Sequence, residues 1–216
     1  MQSVSYFTSE SVCPGHPDKV CDQIADALLD RALTSDRSAL ADFDVAICPD
    51  HVIVMGKSSV DIPDAERIVR NELARIGYTK QNSGIDPESC DVAIHLRKPS
   101  FDVSRSVHRS ERADAGSSDG GMCIGYACDE TASLMPAPIE VARKMVDRLT
   151  TLRTKHDAFL LPDGKVQVCY QYKDGVPFRV QSVILCAQHT PDIDTDDIRD
   201  CLEQRVVVPE IPDGHL

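Results

Sequence analysis

Two short segments carry residue types that could do chemistry. Gly15-His16-Pro17-Asp18-Lys19 stands where a helix is expected to begin. Free backbone N–H groups and the helix dipole favour an anion at such a place. Gly15 permits a close backbone approach, His16 can donate to an oxyanion, and Asp18 can hold a hard cation such as Mg²⁺. A capped helix start with a surface histidine fits the same residues. The second segment is Pro162-Asp163-Gly164-Lys165, a turn entering a strand. Two further stretches bear on phosphate handling. One is the Gly-rich run 116–121. The other is the basic set Arg105, His108, Arg109 and Arg112. The basic set reads either as a solvated linker or as a mobile lid closing over phosphate.

The elements that must position these residues follow from periodicity. Residues 17–33 read as a helix, with Val20, Ile24, Ala27 and Leu28 on one face and Pro17 at its first position. Strands are expected at 43–48 and 51–56, joined by a Pro49-Asp50 turn. A second amphipathic helix covers 63–76 and stops at Gly77, and a strand covers 90–96. The second half gives a helix at 138–152, strands at 165–172 and 176–187 around Asp174-Gly175, and a helix at 194–205. This order predicts an α+β fold of two related units, each laying helices on a mostly antiparallel sheet. The divisions expected are 1–98, a mobile loop or linker at 99–121, and 122–216.

Composition sets the outer bounds. The chain has 216 residues, 42% hydrophobic and 27% charged, with a net charge of −12. That balance suits a globular protein and disfavours nonspecific nucleic-acid binding, which needs a basic face. No apolar run reaches bilayer length, and the first ten residues have neither a basic start nor an apolar segment. No membrane association and a cytoplasmic location are therefore expected. The nine cysteines include no C-x-x-C pair, and Cys48, Cys169 and Cys186 lie in apolar stretches. Buried, reduced thiols are expected.

Taken in order, the motifs resemble those of S-adenosylmethionine synthetases. Phe7-Thr8-Ser9-Glu10-Ser11-Val12, then Gly15 to Lys19 and Asp22-Gln23-Ile24, resembles the family's opening signature. Residues 119–126, Asp129-Glu130-Thr131 and Leu134-Met135-Pro136-Ala137-Pro138 resemble its central signature. Residues 162–168 and 183–189 match its later strands. The resemblance covers essentially the whole chain. It implies a reaction in which the thioether sulfur of methionine attacks C5′ of ATP and triphosphate leaves, to be hydrolysed before release. It implies His16 as the catalytic histidine near ribose and triphosphate, and ATP contacts from His16, Asp119, Asp163, Gly164 and Lys165. It implies Asp18 as a Mg²⁺ ligand and Asp44 at the K⁺ position, where the family has a Glu.

Two substitutions concern the methionine. Lys57 stands where the family places a Glu against the substrate ammonium, and Pro99 stands where it has a Gln. A Lys facing an ammonium inverts the charge logic. The sequence also ends where the family's middle domain ends, so the C-terminal domain is expected to be absent. The resemblance then implies a subunit acting on ATP and methionine or an analogue, as a homo-oligomer or completed by a partner chain carrying that domain. A non-catalytic regulatory relative and a fragment of a longer synthetase are the alternatives.

Overall fold

The computed structural model describes residues 3–79, 83–99, 122–155 and 159–212. Its first sheet carries strands β2 (Ala41–Cys48), β3 (His51–Ser58) and β4 (Asp91–Arg97) in the order β2-β3-β4. β2 and β3 form an antiparallel hairpin, and β3 and β4 run parallel. Helix α1 (Pro17–Ser35) buries Val20, Ile24, Leu28 and Ala32, an i, i+4 stripe. Helix α2 (Ala65–Ile76) buries Ala65, Val69, Leu73 and Ile76. These stripes meet Val52 and Val54 of β3 in one core. Gly77 ends α2 with φ 114, a left-handed value that L-residues avoid.

The second sheet has the order β1-β5-β6 and is antiparallel throughout. β1 spans Val4–Val12, β5 Leu160–Lys173 and β6 Val176–His189. β5 alternates buried and half-buried residues along its whole length. Helix α3 (Ala137–Lys155) packs on its buried face, with Met145 and Leu149 against Val166, Val168 and Tyr170. Helix α4 (Thr195–Leu202) is capped by the Asp194 side chain. Its end passes into one π turn (Glu203–Val207) and a short 3₁₀ turn (Val208–Glu210). The α+β class and the helix-on-sheet layering are those expected from periodicity.

Three features differ from the sequence reading. The strand β1 was not foreseen. Five of its first five residues are exposed, so it lacks the buried alternation that marks a strand. It also leaves the neighbourhood of β2 and pairs with β5, from Val4↔Lys173 to Val12↔Lys165. The thiols expected to be buried are corrected too. Cys48 and Cys186 are exposed and Cys169 is half-buried, whereas Cys13 and Cys90 are the buried ones. An apolar strand has two faces, and these cysteines fall on the one no helix covers. Among the described residues no helix is long and apolar enough to cross a membrane.

Candidate functional site

β1 is what carries the first motif to the second. Its last residue, Val12, lies opposite Lys165, and the Cys13 N–H donates to the Gly164 carbonyl at 2.8 Å. The chain then turns, with the His16 N–H donating to the Cys13 carbonyl at 2.9 Å, and α1 begins. Gly15 packs so closely on Pro162 that a Cβ there would lie 2.4 Å from the Pro162 carbonyl carbon. Only glycine permits that contact. The loop is pinned from outside as well. The buried Tyr78 hydroxyl donates to the Gly15 carbonyl, and the Gln23 amide donates to the Pro14 carbonyl at 2.7 Å.

The result is a cleft of about 310 Å³ lined by His16, Asp163, Gly164, Lys165, Cys186, Ala187 and Gln188. His16 is the N-cap of α1, and its Nδ1 accepts the Asp18 N–H at 3.3 Å. The Asp18 carboxylate lies farther from Nδ1, at 3.7 Å, and is 87% exposed, so we take the cap bond as the one that fixes the ring. With Nδ1 accepting, the neutral imidazole carries its proton on Nε2, a donor for an anionic oxygen. Lys165 is paired with Glu10 of β1 at 3.4 Å, both partly exposed. The Asp163 N–H donates to Gln188 Oε1 at 3.3 Å, and Gln188 Nε2 donates to the Ser83 carbonyl at 3.0 Å.

Behind the cleft the electrostatics are those of a dry wall. Burial pushes the Cys13 thiol up to about 11; a hydrogen bond with Thr150 opposes the rise and the Asp163 charge adds to it. Burial, with the same Asp163 charge, pushes the Tyr78 phenol up to about 12. Desolvation lowers the Arg153 guanidinium from its ordinary value.

The structure therefore brings four of the sequence-derived residues together: His16, Asp163, Gly164 and Lys165. Asp18 flanks them. Asp44, Lys57 and Pro99 do not line this cleft. Asp44 and Lys57 are exposed on β2 and β3, and Pro99 follows β4. Asp119 and the basic set 105–112 lie outside the described residues. Sequence reasoning missed Gln188, which bridges Asp163 and Ser83. Its only signal was its place in the matched strand 183–189. A larger cavity of about 750 Å³ opens near the start of α3, lined by Glu130, Glu140 and Lys144 among others. It contains none of the residues the motifs point to, so the chemistry assigns the smaller cleft.

The donor set was tested against the cations that the resemblance implies. Asp18 offers one solvent-facing carboxylate beside the cleft. Mg²⁺ bound by one or two carboxylates plus substrate phosphates needs no more, so Asp18 fits. Asp44 stands opposite Met55 across the hairpin, and a thioether is no ligand for a hard cation. Asp44 by itself does not fit a K⁺ site. Among the described residues no three His, Cys, Asp or Glu side chains are grouped to hold a metal.

Two family models match the chain. The N-terminal domain of S-adenosylmethionine synthetase matches residues 4–101, and its central domain matches residues 114–216. The S-adenosylmethionine synthase of Desulfosudis oleivorans is 38% identical over 213 residues, covering 95% of this chain and 54% of its own length. That of Solidesulfovibrio magneticus is 40% identical over 213 residues, covering 96% and 54%. That of Myxococcus xanthus is 38% identical over 210 residues, covering 95% and 52%. The chain spans about half the length of the curated relatives it matches.

Proposed function

The chain belongs to the S-adenosylmethionine synthetase family, and from that premise we propose that it is a subunit of an adenosyltransferase acting on ATP and methionine or a related sulfur nucleophile. The sulfur lone pair attacks C5′, the C5′–O bond breaks with its electrons on the triphosphate, and a sulfonium forms. The rest of the relatives' length is supplied by a partner chain in this reading. One observation carries it: His16, Asp163, Gly164 and Lys165 share one cleft although their two motifs stand far apart in sequence.

Each of these residues has work suited to that reaction. The Nε2 proton of His16 meets the oxygen on which negative charge grows, and the cap bond to Nδ1 holds the ring for it. Lys165 is turned by Glu10 and exchanges that carboxylate for phosphate when ATP arrives. The Asp163–Gln188–Ser83 chain of hydrogen bonds holds the far wall. Mg²⁺, held between Asp18 and the phosphates, supplies charge neutralisation for the leaving triphosphate. A rigid donor set aligned in this way lowers the barrier by orientation and electrostatics, with no covalent intermediate.

The test is to titrate ATP and Mg²⁺ into the purified chain and follow the His16 and Lys165 resonances, then add candidate partner chains and measure triphosphate release. ATP-dependent shifts at both residues and partner-dependent turnover are expected. An ATP titration that leaves both residues unmoved would refute the assignment of the cleft.

A further inference from the structure

The face of the first sheet that no helix covers carries two cations in register. β3 and β4 are parallel, and Lys57 lies directly beside Arg97. Both are exposed. Neighbouring strands are about 4.8 Å apart, so the two side chains leave the sheet side by side. Like charges so placed repel. Among the described residues neither forms an ion pair or a hydrogen bond. That is notable in a chain with 35 acidic and 23 basic residues, where a carboxylate is nearly always at hand. The next residue, Lys98, is already engaged, with Asp61 at 2.6 Å and the Ser59 carbonyl at 3.3 Å. Arg97 and Lys98 also border a cleft of about 310 Å³ whose other walls include Val60, Ile62, Ile94 and Leu96. An apolar trough thus ends at a cationic rim.

We propose that Lys57 and Arg97 together bind the carboxylate of a small ligand whose short apolar tail lies in the adjoining trough, and that the pair rejects a cationic group there. The guanidinium grips the carboxylate with two parallel N–H bonds, and the Lys57 ammonium adds a point charge from the neighbouring strand. The choice of a sulfur-containing carboxylate as this ligand rests on the adenosyl-transfer reading. The cation pair itself does not.

The experiment is calorimetric titration of the 216-residue chain at ~0.15 M salt with 4-(methylthio)butanoate, which is methionine without its amino group, and separately with methionine. The amino-free carboxylate is expected to bind at least tenfold more tightly. Arg97→Gln and Lys57→Gln each weaken it about tenfold, and Lys57→Glu reverses the preference towards methionine. Circular dichroism of the variants stays unchanged, since both side chains are exposed. Failure of the carboxylate to bind, or equal binding by wild type and Lys57→Glu, overturns the proposal. The ATP titration at His16 separates the two readings. ATP binding without carboxylate binding removes this inference alone. Carboxylate binding without ATP binding removes the adenosyl-transfer reading and leaves the anion site standing.

Discussion

The guanidinium of Arg153, in the last turn of α3, donates a hydrogen bond to the carbonyl of Ile76, the last residue of α2, at 2.9 Å. The contact joins the helix of one sheet to the helix of the other. The carbonyl it meets is one of those that a helix end leaves without an intrahelical partner. Gly77 makes room for it: a Cβ there would lie 2.3 Å from Arg153 Nη1.

Removing this bond should loosen the junction. Arg153→Ala is expected to lower stability by about 2 kcal/mol, the range for a partly buried charged hydrogen bond. Gly77→Ala should also destabilise, through both the left-handed backbone and the contact with Arg153. Urea denaturation of the two single variants and the double variant checks this. The double should cost less than the sum, because both remove one contact. Full additivity would mean the two residues act separately.

Gly15→Ala should separate the two motifs. The added methyl must displace the Pro162 backbone, and overpacking of this kind costs about 1–3 kcal/mol. The cleft between His16 and Lys165 widens, so ATP affinity should fall along with the melting temperature. Tyr78→Phe leaves the Gly15 carbonyl without its buried donor and should weaken ATP binding in the same direction, by less. Unchanged affinity in both variants would show that the loop does not set the cleft.

His16→Ala should abolish ATP-dependent turnover of the assembled complex, by about 10²-fold or more. The same change removes the helix cap, at about 1 kcal/mol. His16→Asn separates the two roles, since Asn caps α1 well but lacks the ring's reach. Restored thermal stability with activity still lost is the expected result. Activity restored by Asn would assign His16 a structural task only.

Alkaline pH should destabilise the fold. The Cys13 thiol rises from its ordinary value to about 11, so the folded state favours the protonated form. Its contribution is complete below the ordinary thiol pKa and is lost as pH rises through about 11. Tyr78, raised to about 12, has the same sign and acts at higher pH. Melting temperatures measured between pH 8 and pH 11 should fall, less steeply in Cys13→Ala. At pH 8 the folded chain should react with iodoacetamide at the exposed Cys48 and Cys186 before Cys13. Cys13 alkylated as fast as the exposed thiols would contradict its burial.

Much of the site could be read in the chain because its parts lie in local signatures. His16 and Asp18 belong to a helix start, and Asp163, Gly164 and Lys165 to a turn entering a strand. Gln188 had no such mark. Its two bonds reach back to Asp163 and Ser83, 25 and 105 residues away, and no local pattern reports partners so distant. The exposed cation pair was half visible. Lys57 stood out by its charge, but Arg97 became its neighbour only through the parallel register of β3 and β4.

By itself the sequence determined the elements and their inward residues. The stripe Val20, Ile24, Leu28 makes α1 amphipathic, and the alternation along β5 gives that strand one buried face, whatever lies above them. Tertiary structure decided which faces meet. β1, exposed along most of its length, carries no periodic signal, and its partner is a strand more than 150 residues away. That pairing sets the His16 loop against the Pro162 turn. It also sends Cys13 inside, while Cys48 and Cys186 remain on faces that no helix covers. Side-chain period fixes which residues share a face, but what covers that face depends on contacts that only the folded chain makes.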